Sequence, residues 1–115
     1  MKKPEYAWVK EFPGAVTVCD VNGIIIEMND EAEKTFEGDG GRDLIGKNVL
    51  ACHPEPAHTE LAGLMKARKR NIYTIKKNGV KKLIYQSPWY FNGEYAGFLE
   101  LSLEVPMEMP HFVRD

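Results

Sequence analysis

The sequence predicts an α+β domain in which a five-stranded antiparallel sheet carries short helices and one longer helix on one face. Three Asn-Gly pairs, at 22–23, 78–79 and 92–93, each separate two stretches rich in β-branched or aromatic residues. Asn-Gly tolerates the positive φ angles of a tight hairpin turn, and such short turns allow only antiparallel pairing of the strands that they join. A helical pattern lies between the first hairpin and the last two, which is the segregated order typical of an α+β domain.

The first hairpin is predicted to join a strand at about Ala15–Cys19 to a second strand at about Ile24–Met28. Both stretches are rich in β-branched residues, which favour strands. Asn29 or Asp30 follows as the cap of a short helix, because both side chains can accept a hydrogen bond from a free amide of the first turn. The glycine-rich residues 38–41 end that helix.

The middle third predicts only single helical turns, over 43–46 and 48–53, which prolines then stop. From residue 58 or 59, leucine and methionine recur at spacings of three and four residues, as far as the basic run 66–70. This pattern predicts an amphipathic helix that packs on the sheet, and cations at its C-terminal end suit the helix dipole.

The last third predicts a three-strand meander over about 71–77, 81–90 and 95–104. Alternation places large apolar side chains on one face of its last two strands: Leu83, Tyr85, Trp89, Leu99, Leu101 and Leu103. The opposite face of the last strand carries Glu100, Ser102 and Glu104. The apolar face is therefore expected to pack against the core, and the opposite face to be partly exposed to solvent.

One domain is expected over 13–105, preceded by a helical flap at 1–12 and followed by an extended tail at 106–115. In the flap, Trp8 and Phe12 lie four residues apart, which places both side chains on one side of a helix. So short a helix needs a surface to dock on. That surface is either the domain's own sheet or a second copy of the chain.

The composition excludes several classes of function. A net charge of −2 gives no basic excess for binding nucleic acid or an anionic membrane. No apolar run is long enough to span a bilayer, and the N-terminal residues lack the apolar core of a secretion signal. Cys19 and Cys52 are too few for a disulfide framework, so we expect a cytoplasmic protein.

Four short motifs occur in an order that resembles the PAS domain, a cytoplasmic sensor fold of many signalling proteins. They are Val18–Ile25 at the first hairpin, Met28–Ala32 at the start of the first helix, Leu44–Lys47 at a turn, and the aromatic meander at the end. The resemblance spans about Phe12 to Glu104. It implies the spatial strand order 2-1-5-4-3, with the helices enclosing a small pocket over the sheet.

The resemblance implies a non-catalytic sensory or regulatory module of signal transduction that binds a small ligand or a partner protein. Haem-binding members of the family ligate iron with a histidine from the region of the long helix, so His58 or His53 is the candidate ligand. The light-sensing branch attaches flavin through a cysteine, but Val49 stands at that position here. Noncovalent flavin is therefore the less favoured cofactor, and a core without any ligand is the remaining alternative.

The candidate pocket combines a Cys-His pair with apolar and aromatic residues of the meander. Its members are Cys52, His53, His58, Tyr85, Trp89 and Leu101. Cys52 and His53 lack the third, orienting group that a nucleophilic pair needs, and zinc would require three or four ligands at workable spacing. We therefore expect neither an enzyme nor a metal site.

A structural homodimerisation module, with its core filled by side chains, is the alternative function. We expect a homodimer in either case, through Trp8, Phe12 and the outer face of the sheet, because exposed aromatic residues favour association. The chain is expected to hold no output domain of its own, so a signalling partner or a separate output domain is expected as well. Apolar pocket linings can bind many different ligands, so the sequence does not identify which ligand this pocket would bind.

Overall fold

The computed structural model describes residues 7–115. In chain order the elements are α1 (Ala7–Lys10), β1 (Ala15–Cys19), β2 (Ile25–Met28), α2 (Asp30–Thr35), three 3₁₀ turns (Glu37–Asp39, Gly41–Leu44 and Val49–Cys52), α3 (Ala57–Ala67), β3 (Asn71–Lys77), β4 (Val80–Phe91) and β5 (Glu94–Val105). Residues 1–6 of the expected flap lie outside the described part of the chain. The tail at 106–115 contains neither helix nor strand.

The five strands form one antiparallel sheet in the order β2-β1-β5-β4-β3. This confirms the predicted fold class and the predicted strand order. The two long strands, β4 and β5, pair so that Tyr85 lies opposite Leu101 and Gln86 lies opposite Glu100. Because β1 lies between β2 and β5, the first hairpin joins the meander along β1.

The two later hairpin turns have the expected geometry. Asn78 and Asn92 have φ angles of 53° and 51°, and the glycines that follow them have φ angles of 79° and 81°. Positive φ at both central positions defines a type I′ turn. The first turn differs, because its positive φ is confined to Gly23 and the Asp20 side chain accepts hydrogen bonds from two backbone amides of the turn. Both the Asp20 carboxylate, through these hydrogen bonds, and the positive φ of Gly23 therefore stabilise this turn.

Asn29, which is 4% exposed, connects the N-terminal segment, β1 and α2. Its Oδ1 accepts hydrogen bonds from the backbone amides of Val16 at 2.9 Å and Ala32 at 3.0 Å. Its Nδ2 donates to the carbonyl oxygens of Val9 at 3.0 Å and Gly14 at 2.8 Å. The predicted helix cap is confirmed at Asn29, and the same side chain also fixes the end of α1 against the sheet.

Two clusters of buried apolar side chains lie between the sheet and the segments that cover it. The first consists of Ala15, Ile25, Met28, Ala32 and Leu44, and the second of Cys19, Leu61, Met65 and Phe98. Helix α3 therefore packs on β1 and β5 through its leucine and methionine stripe, as predicted.

The face of the sheet that the helices cover is opposite to the expected one. Gln86, 8% exposed, and its cross-strand partner Glu100 lie on the covered face, here called the inner face. Neighbouring residues in a strand alternate, so Tyr85 and Leu101 lie on the other side, the outer face. The expectation that the leucine-rich face forms the covered core is therefore wrong. Because the inner face of β5 also carries an apolar residue, Phe98, apolar alternation alone does not decide which face the helices cover.

Gly97 allows β5 to approach β1 closely. Its φ is 145°, and a Cβ at this position would lie 2.0 Å from the Cys19 carbonyl oxygen. The indole N–H of Trp89, which lies opposite Gly97 in the register, donates to the same oxygen at 3.0 Å. A side chain at position 97 would therefore disturb the β1–β5 contact. It would also disturb the hydrogen bond between the Trp89 indole N–H and the Cys19 carbonyl oxygen.

We expect Asn29→Ala to lower the free energy of unfolding by about 3 kcal/mol, because it removes the cap of α2 and leaves backbone groups of three segments unpaired. Urea denaturation of the wild type and the variant measures this loss. Asn22→Ala, at an exposed turn position, is the matched control and should change stability by less than about 0.5 kcal/mol. A loss below about 1 kcal/mol for Asn29→Ala would contradict its connecting role.

We expect Gly97→Ala to destabilise the protein by about 3 kcal/mol, from the clash with Cys19 and the strained backbone. Gly63→Ala is the control, because Gly63 lies in α3 with nothing within 4 Å of an added Cβ. That change should stabilise the protein by up to about 1 kcal/mol, since alanine favours helix over glycine. Thermal or urea unfolding that ranks the two variants in the opposite order would refute the close approach at Gly97.

Candidate functional site

A cavity of about 670 Å³ lies between the inner face of the sheet and the segments that cover it. Its size is within the roughly 300–1,000 Å³ range of small-molecule sites. The 3₁₀ turns and α3 form its cover, and β1, β2, β4 and β5 form its base.

Most of the cavity wall is apolar. Ile25 and Met28 contribute from β2, Phe98 from β5, and Leu61 and Met65 from α3. These are core positions, and the sheet and α3 hold each of them in place. The wall can therefore receive an apolar body without exposing buried backbone groups.

The base of the cavity also holds the polar side chains of Thr17, Gln86 and Glu100. Gln86 and Glu100 are hydrogen-bonded to each other and are here called the polar floor. The Gln86 Nε2 donates to Glu100 Oε1 at 2.9 Å, and Asn71 Nδ2 donates to Gln86 Oε1 at 3.0 Å. An ionised carboxylate only accepts hydrogen bonds, so Glu100 fixes which end of the Gln86 amide faces it. Gln86 in turn fixes the orientation of the Asn71 amide. In this series of hydrogen bonds Asn71 donates to Gln86, and Gln86 donates to Glu100.

The third 3₁₀ turn brings Cys52 and His53 to the cavity wall. Asn48 caps this turn by accepting from the Leu50 amide at 2.9 Å, and it donates to the Asn22 carbonyl at 3.3 Å. The His53 Nδ1 lies 2.7 Å from the Val49 carbonyl oxygen. Because a carbonyl oxygen only accepts, Nδ1 carries the proton, and Nε2 of the neutral ring keeps its lone pair.

The structure does not join Cys52 and His53 into a nucleophilic pair. The Cys52 thiol donates to the Asn48 carbonyl at 3.6 Å, and the His53 Nδ1 is engaged by Val49. The other cysteine, Cys19, is buried, and burial raises the pKa of its thiol above the ordinary value. A neutral buried thiol is a poor nucleophile.

Within residues 7–115, no group of three or more His, Cys, Asp or Glu side chains has the arrangement of a metal site. The described helices also include none that is long and apolar enough to cross a membrane.

Of the six predicted pocket residues, the structure brings Cys52 and His53 to the cavity. His58 stands at the start of α3 outside the lining, where its Nδ1 donates to the Leu50 carbonyl at 2.7 Å. That contact fastens the third 3₁₀ turn to α3.

The structure does not bring Tyr85, Trp89 and Leu101 to this cavity, because none of the three is among its lining residues. They belong to the outer face, where the Tyr85 hydroxyl accepts from Arg70 Nη1 at 3.1 Å. The sequence-based choice favoured the more apolar face, whereas a ligand site needs polar groups as well as apolar ones.

The polar floor and the α3 residues of the wall were missing from the predicted pocket. Their signal was present in the sequence, since Glu100 and Gln86 are polar residues within the central parts of two adjacent strands. A polar residue inside two adjacent strands indicates a buried hydrogen-bonded pair as readily as a wet face.

Neither a protein-family model nor a curated protein matches the sequence. Solved structures do match. The PAS domain of an HTR-like protein from Haloarcula marismortui has a TM-score of 0.57 at 19% identity, over 86% of this chain and 87% of that chain. The Aer2 receptor from Vibrio cholerae, described as a dual PAS-heme oxygen sensor, has a TM-score of 0.58 at 19% identity, over 81% and 95% of the respective chains.

A sensory box sensor histidine kinase from Vibrio cholerae is also similar, with a TM-score of 0.61 at 15% identity, over 87% of this chain and 88% of that chain. Identities this low establish a shared fold. Together with the strand order and the helix-covered inner face, they confirm the resemblance that the motifs indicated: this chain has the fold of a PAS domain.

Proposed function

We propose that the chain is a non-catalytic sensory module of signal transduction, in which a small ligand occupies the cavity and changes how the cover packs on the sheet. The observation that carries this proposal is the cavity of about 670 Å³ with an apolar wall and a polar floor. A ligand produces such a change only if it binds one packing of the cover better than another. A receptor and a sensor kinase among the similar folds support the signalling context.

The two parts of the cover are attached to the sheet in different ways: one by backbone hydrogen bonds, the other by apolar packing. The part held by apolar packing is expected to move more readily. Residues 46–49 are tied to the first hairpin: the Gly46 amide donates to Ile25 at 2.8 Å, the Ile25 amide donates to Lys47 at 2.9 Å, and the Val49 amide donates to Gly23 at 2.7 Å. Helix α3 instead meets the sheet through apolar packing of Leu61 and Met65. Apolar packing is not directional, so α3 is the part of the cover that a ligand can displace most readily.

Haem is the cofactor for which the chain offers a ligand. Of the three histidines, His53 lines the cavity, and its Nε2 lone pair is available to iron. Bound haem supplies an iron that takes up small gases. His58 lies outside the lining, so His53 is the residue that would hold the iron.

Flavin is the less favoured cofactor. Glu100 only accepts hydrogen bonds and one N–H of Gln86 already donates to it, so the polar floor offers few donors to the carbonyl groups of the flavin ring. Val49 stands where the light-sensing branch of the fold has its cysteine, and Cys52 is turned to the Asn48 carbonyl.

The homodimer is part of the same proposal. Trp8 is 72% exposed and Phe12 is 37% exposed. Phe12 lies beside Gly14, where it approaches Leu103 of the outer face. The outer face, with Tyr85 and Leu101, would complete the contact. A signalling partner or an output domain would receive the signal in the cytoplasm, without a role for nucleic acid or membrane.

The alternative function, a homodimerisation module, also forms a dimer but binds no ligand, so ligand release separates the two. If the sensory proposal is right, protein purified without added cofactor releases a small molecule on heat denaturation, which mass spectrometry detects. A Soret band before denaturation identifies that molecule as haem. Met65→Trp, or the milder Leu61→Phe, should lower the released amount at least fivefold by filling the cavity, while Leu101→Phe on the outer face should not. Wild-type protein that releases nothing would favour the alternative.

We expect Trp8→Ala combined with Phe12→Ala to convert a dimer into a monomer in sedimentation experiments. The control is Phe112→Ala combined with Val113→Ala, because these tail residues are 70% and 74% exposed and are equally apolar. An unchanged mass for the Trp8 and Phe12 variant, or a monomeric wild type, would rule out this contact.

A further inference from the structure

Glu100 is a half-buried carboxylate on the polar floor without a cationic partner in the described part of the chain. The ion pairs among residues 7–115 are Lys10–Asp30 and Arg42–Glu33, and both lie elsewhere on the surface. Glu100 Oε1 accepts from Gln86, and no described residue donates a hydrogen bond to Oε2. Oε2 is not a buried orphan and keeps contact with solvent, so Glu100 has acceptor capacity open to a ligand. A carboxylate that has lost part of its hydration and has one neutral donor gains more from a cationic partner than from a neutral one.

The hydrogen bonds around Glu100 do not neutralise it. The donors run from Asn71 through Gln86 to the carboxylate, and both donors are neutral amides. This arrangement orients Glu100 and supplies no positive charge to pair with it. Reversing the Gln86 amide would set its oxygen against the carboxylate, so the floor cannot become a donor surface while Glu100 is ionised.

The other charged residues of the cavity lining do not offset Glu100. Asp39 and Lys47 carry opposite charges, and both are exposed positions of the cover, where water screens them. His53 uses its Nδ1 proton on the Val49 carbonyl. The base of the cavity is therefore negative, beneath a wall that is mostly apolar.

We propose that the cavity takes a small organic cation, an ammonium or amidinium group on an apolar aromatic or aliphatic body. The cationic group pairs with Glu100, and the body packs among Met28, Leu61, Met65 and Phe98. Charge-assisted hydrogen bonds to a carboxylate are stronger than neutral ones, and they strengthen further where water is excluded. This inference rests on the proposed ligand-binding function and specifies its chemistry, since haem and flavin both carry anionic groups.

Two probes that share an indole body and differ in charge test the proposal: tryptamine, protonated at neutral pH, and indole-3-propionate. Isothermal titration of each into the full chain should show tryptamine binding at least tenfold more tightly. Glu100→Gln should abolish this preference by weakening tryptamine binding tenfold or more, without weakening the propionate. Glu104→Gln is the matched control, because Glu104 lies on the same strand and face but is exposed and outside the cavity lining.

The comparison of the two probes on wild-type protein needs no variant, so it holds even if Glu100→Gln does not fold. Equal affinities, tighter binding of the propionate, or a tryptamine preference that survives Glu100→Gln would overturn the cationic class and leave the ligand site standing. Binding of neither probe would count against the ligand-binding function and the cationic class together. A co-purified haem whose spectrum changes in His53→Ala would overturn the cationic class while supporting a sensory cavity.

Discussion

The five hydrogen bonds of the Asn29 side chain fix where the cover of the sheet begins. Its Oδ1 accepts from the backbone amides of β1 and α2, and its Nδ2 donates to three carbonyls at the end of α1 and before β1. Asparagine can do this because its side chain carries both an acceptor and donors on one plane. Since α2 starts at this point, the 3₁₀ turns that follow it are placed over the inner face, and the cavity lies beneath them.

The same residue links the cavity to the surface proposed for dimerisation. Asn29 holds the Val9 carbonyl of α1, next to the exposed Trp8, while its neighbour Met28 lines the cavity. A change in packing around Met28 can therefore reach α1 through one buried side chain. A short connection of this kind suits a sensory module, because a ligand and a dimer contact that favour the same packing of α1 reinforce each other.

The polar floor separates this cavity from an ordinary hydrophobic core. A core filled by side chains leaves no space beside a half-buried carboxylate, and buried polar groups are usually fully paired. Here Gln86 and Asn71 orient Glu100 without neutralising it, and about 670 Å³ remains above it. These features support a ligand site over a purely structural module, and they favour a ligand that brings positive charge.

The sequence was sufficient for the strands and turns but not for the choice of face. Asn78-Gly79 and Asn92-Gly93 predict their hairpins because local backbone preference determines a type I′ turn, and the cap at Asn29 is local in the same sense. Which face of β4 and β5 receives the helices depends on long-range packing, and both faces carry apolar residues. The outer face is the richer in leucine, so apolar alternation alone predicts Tyr85 and Leu101 in the pocket in place of Gln86 and Glu100.

The most direct test of the cavity is xenon binding followed by methyl NMR, because xenon enters apolar cavities and shifts the methyl signals that line them. We expect xenon to shift the methyl signals of Met28, Leu61 and Met65 and to leave those of Leu101 and Leu103 on the outer face unchanged. Shifts confined to the outer-face leucines, or no shift at any of these methyl groups, would contradict a cavity on the inner face.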